Sequence, residues 1–196
     1  MNNMLEFVKE NYKPTRINIF EEEYNIGKVI IETVLQPGLN YNSVVFPRVQ
    51  RFKKRYSSFY KLSDFELLLE LEGPEELLGV NNKRKTRSLY DLVRFLKEEH
   101  IEYIFQLKDL IVSKTFKQKL NDVFGIGKKS MDYMLILLDL DTFAIDRHLF
   151  NFVNQFQTIH SYDLVQQNLQ DVADKLGLSY KSLDYYIWSY MSTNRK

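Results

Sequence analysis

The sequence predicts an all-α fold, on two observations. Apolar residues recur every three or four positions along most of the chain, which is the period of an amphipathic helix and not of a strand. Glycine and proline, the residues that interrupt helices, number only 7 and 4 among 196 residues and lie at a few joints. The predicted helices are 3–12, 22–36, 41–56, 63–71, 84–99, 102–112, 115–123, 128–138, 147–158, 162–176 and 180–191.

Several of the predicted helices end at a joint that the residue types explain, because proline cannot continue a helix and glycine favours its C-terminal end. The breaks are assigned to Pro14, Pro37-Gly38, Gly73-Pro74, Gly79, Gly125 with Gly127, and Gly177. The segments VIIETVL and FAI have the composition of strands, but their flanks do not repeat the pattern. Since many short helices rarely share one core, the sequence predicts two helical lobes, 23–144 and 1–22 joined with 145–196.

Composition excludes several classes of site. The chain has 27 basic and 26 acidic side chains, so a nucleic-acid role has to come from local patches and not from net charge. It has no cysteine, which excludes disulfides, thiolate zinc sites, iron–sulfur clusters and cysteine nucleophiles. The first residues show no signal-peptide pattern, and no apolar run approaches the ~20 residues of a membrane span. We expect an intracellular monomer with no membrane association.

Positive charge is concentrated in the middle of the chain. Segment 48–61, RVQRFKKRYSSFYK, has six basic residues and no acidic one, and segment 83–87, KRKTR, has four basic residues. A third cluster consists of Lys114, Lys117, Lys119, Lys128 and Lys129. A solvated helix face explains any one cluster alone. Three of them in the middle of a chain with acidic ends favour one shared surface for a polyanion.

The segment VFGIGKKSMDY, within 115–138, predicts a helical hairpin. One helix precedes Gly125 and Gly127, and another follows them. The glycines permit backbone conformations that a Cβ opposes, and they bare N–H groups before a helix N-terminus, where a phosphate binds favourably. Lys128 and Lys129 have the wrong sign for that end of the helix dipole. An unfavourable place for an ammonium is a favourable one for a neutral, nucleophilic amine.

This hairpin and the later segment FAIDRHLFNFV, 143–153, together resemble the helix-hairpin-helix–GPD superfamily of base-excision DNA glycosylases, which includes endonuclease III and 8-oxoguanine glycosylases. The family pattern is L-P-G-[VI]-G-x-K-[TV]-A, then a helix, then V-D-x-H, and the chain has FGIGKKSM and IDRH. Phe124 replaces the proline of the pattern and Met131 its alanine. The resemblance implies a two-lobed helical DNA glycosylase fold, without the four-cysteine cluster loop of endonuclease III.

The resemblance assigns the chemistry to two residues. Lys129 matches the nucleophilic lysine of glycosylases that are also lyases, whose amine attacks C1′ of the damaged nucleotide, expels the base and leaves a Schiff base. Asp146, seventeen residues later, matches the essential aspartate, which is expected to cap the next helix and to stabilise positive charge on the sugar. A surface lysine and a plain helix cap are the alternatives for these residues taken singly.

Contacts to DNA are implied for a wider set of residues. The hairpin is expected to hold a phosphate, with a monovalent cation at its carbonyls and no catalytic metal. His148 is expected to contact a phosphate, unless it is a structural histidine. The residues expected to bind DNA are Gly125, Gly127, Lys128, His148, Arg51, Lys53, Lys54 and Arg84.

An enzyme that acts on a base inside a duplex must flip the base out and fill the gap. The family takes the filling residue from the turn between two upstream helices, which here is QPGLNYN, 36–42. The alternative for this segment is an ordinary proline-glycine loop. Gln36 is expected at the mouth of the base pocket. The candidates for the wedge are Leu39, Asn40 and Tyr41, and those for an aromatic face under the base are Tyr133, Phe143 and residues of 180–188.

The resemblance therefore implies a DNA glycosylase with associated lyase activity at abasic sites, acting in base excision repair without a cofactor. Its partner would be double-stranded DNA with a damaged base, an oxidised purine for preference, or an abasic site. It would act in the cytoplasm or nucleoid if the source is prokaryotic. Two alternatives stay open. One is a monofunctional glycosylase, in which Lys129 binds phosphate and Asp146 activates water; the other is a non-catalytic DNA-binding protein, which has no need of Asp146.

Overall fold

A computed structural model describes residues 2–13 and 25–193. Every regular element within these ranges is helical, so the predicted all-α class is confirmed. The elements are α1 (Asn2–Asn11), α2 (Ile26–Leu35), a π-helical turn (Tyr41–Val45), α3 (Phe46–Arg55), α4 (Leu62–Glu72), α5 (Pro74–Leu78), α6 (Lys83–Glu98), α7 (Ile104–Leu110), α8 (Lys114–Asn121), α9 (Lys128–Leu137), α10 (Arg147–Asn154), α11 (Tyr162–Leu176) and α12 (Tyr180–Thr193).

Contacts divide the chain into two compact units. We call Glu22–Leu138 the hairpin unit, and Met1–Glu21 with Asp139–Lys196 the terminal unit. The predicted division into lobes 23–144 and 1–22 with 145–196, with its break after residue 144, stays a prediction. The break predicted at Pro14 and the first three residues of the helix predicted at 22–36 lie outside the described residues.

The hairpin unit is built around α2, which is buried along nearly its whole length. Of its residues only Lys28 is partly exposed, and α3, α4, α5, α6 and α9 all contact the helix. The strand-like run VIIETVL lies within this helix, and its burial on every side is typical of a helix at the centre of a core. The helix begins at Asn25, whose Oδ1 accepts a hydrogen bond from the Lys28 amide at 2.9 Å and whose Nδ2 donates one to the Tyr56 carbonyl at 3.2 Å.

Close packing around α2 gives a first prediction, for Gly27→Ala. A Cβ at this position would lie 2.5 Å from Cδ2 of the buried Phe65 ring and 3.1 Å from Cζ of Phe52. We expect the substitution to lower the free energy of unfolding by about 1–3 kcal/mol, the usual cost of overpacking a core, in spite of alanine's better helix propensity. Urea denaturation would measure it. In a Phe65→Ala background the penalty should shrink, and equal penalties in both backgrounds would contradict this explanation.

The segment that follows α2 departs from the prediction of one helix at 41–56. Residues Tyr41–Val45 form a π-helical turn, with the Val45 amide donating to the Asn40 carbonyl at 3.1 Å, and α3 begins at Phe46. Pro47 explains the interruption, because it has no N–H to donate and its ring clashes with a carbonyl four residues earlier in a regular helix.

Helix α5 also differs from the prediction. The pair Gly73-Pro74 predicts only a break, whereas proline is well suited to the first turn of a new helix.

The terminal unit has its own core, formed by α1 and α10–α12. The connection before α10 adds two side chains to it, since Phe143 is fully buried and Ile145 nearly so. The segment FAI is thus buried but forms neither a helix nor a strand, within the described residues. The buried core residues are Met4, Val8, Phe143, Ile145, Leu149, Phe152, Val153, Ile159, Val165, Leu169, Val172, Ala173, Leu183 and Ile187.

Candidate active site

The predicted hairpin is present between α8 and α9. Ile126, at the tip of the hairpin, is only 2% exposed, so its side chain packs into the hairpin unit. The Ile126 amide donates to the Val123 carbonyl at 3.0 Å, which closes the turn. Gly127 is the N-cap of α9, with extended backbone (φ −100°, ψ −177°) and no side chain to satisfy the amides of the first helical turn. The hairpin therefore presents backbone N–H groups without a side-chain cap at a helix N-terminus, the arrangement that binds anions.

The two glycines of the hairpin have different reasons to be glycine. Gly125 has φ +84°, and a Cβ there would lie 2.5 Å from Oγ of Ser88 on α6, so both the backbone conformation and the packing require it. Gly127 has an ordinary φ, and a Cβ there would meet nothing within 4 Å. The fold itself does not require glycine at 127. A ligand that approaches the backbone closely would require it.

The two lysines of the hairpin begin α9. Lys128 is exposed and Lys129 is partly buried. Tyr133 lies four residues after Lys129, and residues with that spacing share a helix face. The face that carries Lys129 therefore continues into the contact between α9 and α2.

That contact contains a polar network around a buried carboxylate, which the sequence alone did not reveal. Glu32 of α2 is 2% exposed, and its Oε1 accepts hydrogen bonds from the hydroxyls of Tyr133 at 2.7 Å and Tyr41 at 3.1 Å. Its Oε2 lies 3.3 Å from Nζ of Lys28. Burial, and then the neighbouring Glu32, raise the pKa of Tyr133 well above its usual range, so this hydroxyl stays a donor. In the sequence, the lone acidic residue inside the apolar run VIIETVL indicates such a network, because a buried charge is nearly always paired.

The turn after α2 is held by Lys85. Its Nζ donates to the carbonyls of Val34 at 2.8 Å, Leu35 at 2.9 Å and Pro37 at 2.9 Å. These are carbonyls at the C-terminus of α2 that have no helical partner, so an ammonium is well placed there. Burial nevertheless lowers the pKa of Lys85 to about 8. Lys85 therefore faces inward, unlike the rest of the basic segment KRKTR.

The three wedge candidates have different surroundings. Oδ1 of Asn40 accepts from the Ser43 amide at 2.9 Å, which caps the π-helical turn. Tyr41 is tied to Glu32 and its ring lies 6.2 Å from that of Phe46. Leu39 is partly exposed and has no polar group that needs a partner. Close by, Oε1 of Gln36 is buried without a hydrogen-bond partner among the described residues.

The basic residues proposed for DNA contact are also in different surroundings. Nη2 of Arg51 donates to the Glu76 carbonyl at 3.0 Å, so this side chain helps to join α3 to α5. Lys53 is partly exposed, and Lys54 and Arg84 are exposed. Arg55, from the same basic segment, pairs with Glu72 at 2.9 Å and Glu76 at 2.7 Å. Part of segment 48–61 therefore stabilises the packing of neighbouring helices.

Asp146 is in the terminal unit, where it caps α10 as predicted. Its Oδ1 accepts hydrogen bonds from the amides of His148 at 2.8 Å and Leu149 at 3.1 Å. Its Oδ2 accepts none from the described residues, and the side chain is partly exposed. One carboxylate oxygen is thus fixed by the helix, and the other is available for chemistry.

Other residues considered from the sequence lie mostly in structural positions. His148 is 9% exposed, on the buried face of α10 with Leu149. Phe143 is core and stacks on Tyr180 at 5.3 Å, which leaves it no free face for a base. Within the described residues, no cluster of three or more His, Asp or Glu side chains could hold a metal ion.

Two solved structures have the same fold as this chain. The 8-oxoguanine DNA glycosylase of Thermotoga maritima is 19% identical, over 95% of this chain and 93% of that chain, with a TM-score of 0.57. The 8-oxoguanine DNA glycosylase of Methanocaldococcus jannaschii is 19% identical, over 86% of this chain and 78% of that chain, with a TM-score of 0.54. The predicted helical DNA glycosylase fold is therefore confirmed. At this identity the likeness concerns the fold alone.

At the level of sequence, the chain belongs to a family without an assigned activity. The model of that family, Domain of unknown function (DUF8548), matches residues 25–192. No curated protein sequence is significantly similar to the chain. None of the helices in the described ranges is long and apolar enough to cross a membrane.

Proposed function

We propose that this protein is a DNA glycosylase of base excision repair, with an associated lyase activity at abasic sites. It acts as a monomer on double-stranded DNA inside the cell and needs no cofactor. The observation that carries the proposal is the hairpin, in which Gly127, unconstrained by the fold, opens a helix whose second residue is Lys129. The glycosylase fold of the two structural neighbours and the free oxygen of Asp146 support it.

The hairpin binds one phosphate of the DNA backbone in this proposal. The amides at the start of α9 donate to the phosphate, and the bare backbone of Gly127 lets it approach. The carbonyls of Phe124 and Gly125 accept no hydrogen bonds within the described residues, so they fit the oxygen ligands of a monovalent cation. Such an ion would help to neutralise the phosphate, and it has no part in the covalent steps.

The chemical steps then belong to Lys129 and Asp146. The neutral amine of Lys129 attacks C1′, the bond from C1′ to the base breaks, and the base leaves with the electron pair and a proton. Loss of the ring oxygen from C1′ gives the Schiff base, and removal of a C2′ proton expels the 3′ phosphate and cuts the strand. The free oxygen of Asp146 stabilises the positive charge that develops on the sugar. Glycosylase activity without strand cleavage would instead favour the monofunctional alternative.

Gln36 and Leu39 have separate roles in the proposal. The buried, unpartnered oxygen of Gln36 needs a donor, and a flipped base can supply an N–H. Leu39 is the wedge, because Asn40 and Tyr41 are held by other contacts. Lys85 keeps the turn in position through the three carbonyls at the end of α2.

The experiment that tests the proposal is a base-release assay on labelled duplexes that carry one lesion each. The panel contains 8-oxoguanine, thymine glycol, uracil, an abasic site and an undamaged control, with alkali to reveal base loss and no alkali to reveal strand cleavage. We expect release of the oxidised purine, with cleavage before alkali. Failure to act on any lesion or on an abasic site would contradict the proposal.

Gly127→Ser should separate ligand approach from folding. Serine is a good N-cap, the backbone at 127 is already extended and its Cβ would have open space, so stability should be kept or slightly raised. Its hydroxyl would accept from the amides that the phosphate needs, and we therefore expect clearly weaker binding to an abasic-site duplex. Fluorescence anisotropy and thermal unfolding would measure the two effects. Unchanged affinity would argue that no phosphate binds at this turn.

If Leu39 is the wedge, Leu39→Ala should slow the enzyme on duplex DNA but not on single-stranded DNA. Removing the side chain leaves the gap in the base stack unfilled, so release of a damaged base from duplex DNA should slow. Cleavage at a preformed abasic site in single-stranded DNA, which needs no wedge, should change little. The ratio of the two rates is the readout, and Asn40→Ala gives a control from the same turn. An equal loss on both substrates would show that Leu39 acts in some other way.

A further inference from the structure

Phe124 differs from the family pattern at the first position of the hairpin turn, and the structure gives it a partner. The Cζ atom of Arg87 lies 4.1 Å from the centre of the Phe124 ring, and that of Arg84 lies 5.7 Å from it. A guanidinium over an aromatic face is attracted to the ring and stacks on it with its planar fork. The hairpin thus carries a platform for two arginines of α6.

The arginines lie beside the phosphate-binding backbone of the hairpin. Ser88, the residue after Arg87, is in contact with Gly125, where a Cβ would come within 2.5 Å of the serine Oγ. No side chain separates the first half of α6 from the hairpin turn at this point. Arg87 therefore lies beside the hairpin turn that leads into α9.

The charges around Arg87 leave it available to an anion. Its side chain is 66% exposed, and its Nε lies 3.4 Å from Oδ2 of Asp91. The other oxygen of Asp91 pairs with Nη2 of Arg94 at 2.8 Å, so one carboxylate is shared by two arginines. Nη1 and Nη2 of Arg87 donate no hydrogen bond within the described residues. Two parallel N–H groups of a fixed guanidinium match the geometry of a phosphate.

We propose that Arg87, seated on the ring of Phe124, binds a DNA backbone phosphate next to the one held by the hairpin, with Arg84 adding charge. This inference rests on the proposed function, since it extends the same DNA-binding surface. It also gives Phe124 a purpose that the proline of the family pattern cannot serve, because only an aromatic ring offers the guanidinium a face.

The test compares the salt dependence of binding to a duplex with a stable abasic-site analogue. For wild type, log Kobs should fall steeply and linearly with log salt, and Arg87→Gln should reduce the slope by about one, the loss of one phosphate contact. Arg94→Gln is the matched control: its side chain is 67% exposed, it shares Asp91, and it lies two turns further along α6 without a ring. We expect the control to keep the wild-type slope.

Two further variants test the role of the ring. Phe124→Leu keeps an apolar side chain without the aromatic face, and it should weaken binding in the same direction as Arg87→Gln. Arg87→Lys should restore the slope but not the full affinity, because a lysine keeps the charge without the planar fork. Thermal unfolding of each variant confirms that it is folded.

The outcomes separate this inference from the proposed function. Equal slopes for wild type and Arg87→Gln, with wild type still binding and cutting DNA, would overturn the inference alone. Equal losses of slope in Arg87→Gln and Arg94→Gln would show that only general surface charge matters, and this result would also overturn the inference. A wild type that does not bind DNA would overturn both.

Discussion

Lys129→Gln should abolish strand cleavage at abasic sites and the formation of a reducible protein–DNA adduct. Glutamine keeps the polarity and much of the length of lysine but has no amine to attack C1′. Lys129 is partly buried in the first turn of α9, directly after a cap that offers no side chain. That position disfavours a positive charge, because the helix dipole is positive at this end. Binding to a damaged duplex should survive, since the backbone amides of the hairpin remain.

The matched control for this variant is its neighbour. Lys128 is exposed at the first position of the same helix. Lys128→Gln removes one positive charge from the same turn, so it should weaken DNA binding modestly and leave strand cleavage and adduct formation intact. Gel assays of cleavage, alongside anisotropy for binding, distinguish the two variants. If Lys129→Gln kept full cleavage, the nucleophile would be another residue.

Asp146→Asn should slow release of the damaged base by about 100- to 1000-fold, the usual loss when one preorganised electrostatic contact to a transition state is removed. The amide supplies no negative charge to the developing sugar cation. Asparagine is nearly as good an N-cap as aspartate, so its side-chain oxygen can still accept from the amides of His148 and Leu149. The free energy of unfolding should therefore change by less than about 1 kcal/mol.

Single-turnover base release and urea denaturation would test the Asp146 prediction together. Asp146→Ala is the useful comparison, because it removes both the charge and the cap and should also destabilise the protein by about 0.5–2 kcal/mol. If Asp146→Asn releases the base slowly but unfolds like wild type, the loss of activity is due to the missing charge and not to unfolding. Base release at the wild-type rate in Asp146→Asn would reduce this residue to a helix cap.

Most of the helices could be predicted because their apolar spacing and joints are local features of the sequence. The hairpin glycines and the cap at Asp146 are of this kind. The π-helical turn before Pro47 and the short α5 after Gly73 were harder, because proline marks a disturbance without saying whether a helix stops or restarts there.

The surroundings of the site residues depend on contacts between distant segments, and the sequence could not supply them. Lys85 and Arg84 are neighbours in one basic run, yet Lys85 holds the end of α2, fifty residues away, while Arg84 is exposed. Arg51 looked like a DNA contact but also joins two helices. Phe124 departs from the family pattern at the proline position, and the sequence does not indicate a reason. In the structure, two guanidinium groups of α6 lie over its ring.

The central claim is that an amine of this protein forms a Schiff base with the sugar of a damaged nucleotide, and borohydride trapping tests it most directly. Wild-type protein is incubated with a labelled duplex that has one abasic site, sodium borohydride is added, and the products are separated under denaturing conditions. We predict a stable protein–DNA adduct whose cross-linked peptide, identified by mass spectrometry, contains Lys129. The absence of an adduct, or a cross-link at another residue with Lys129→Gln still trapped, would contradict the account.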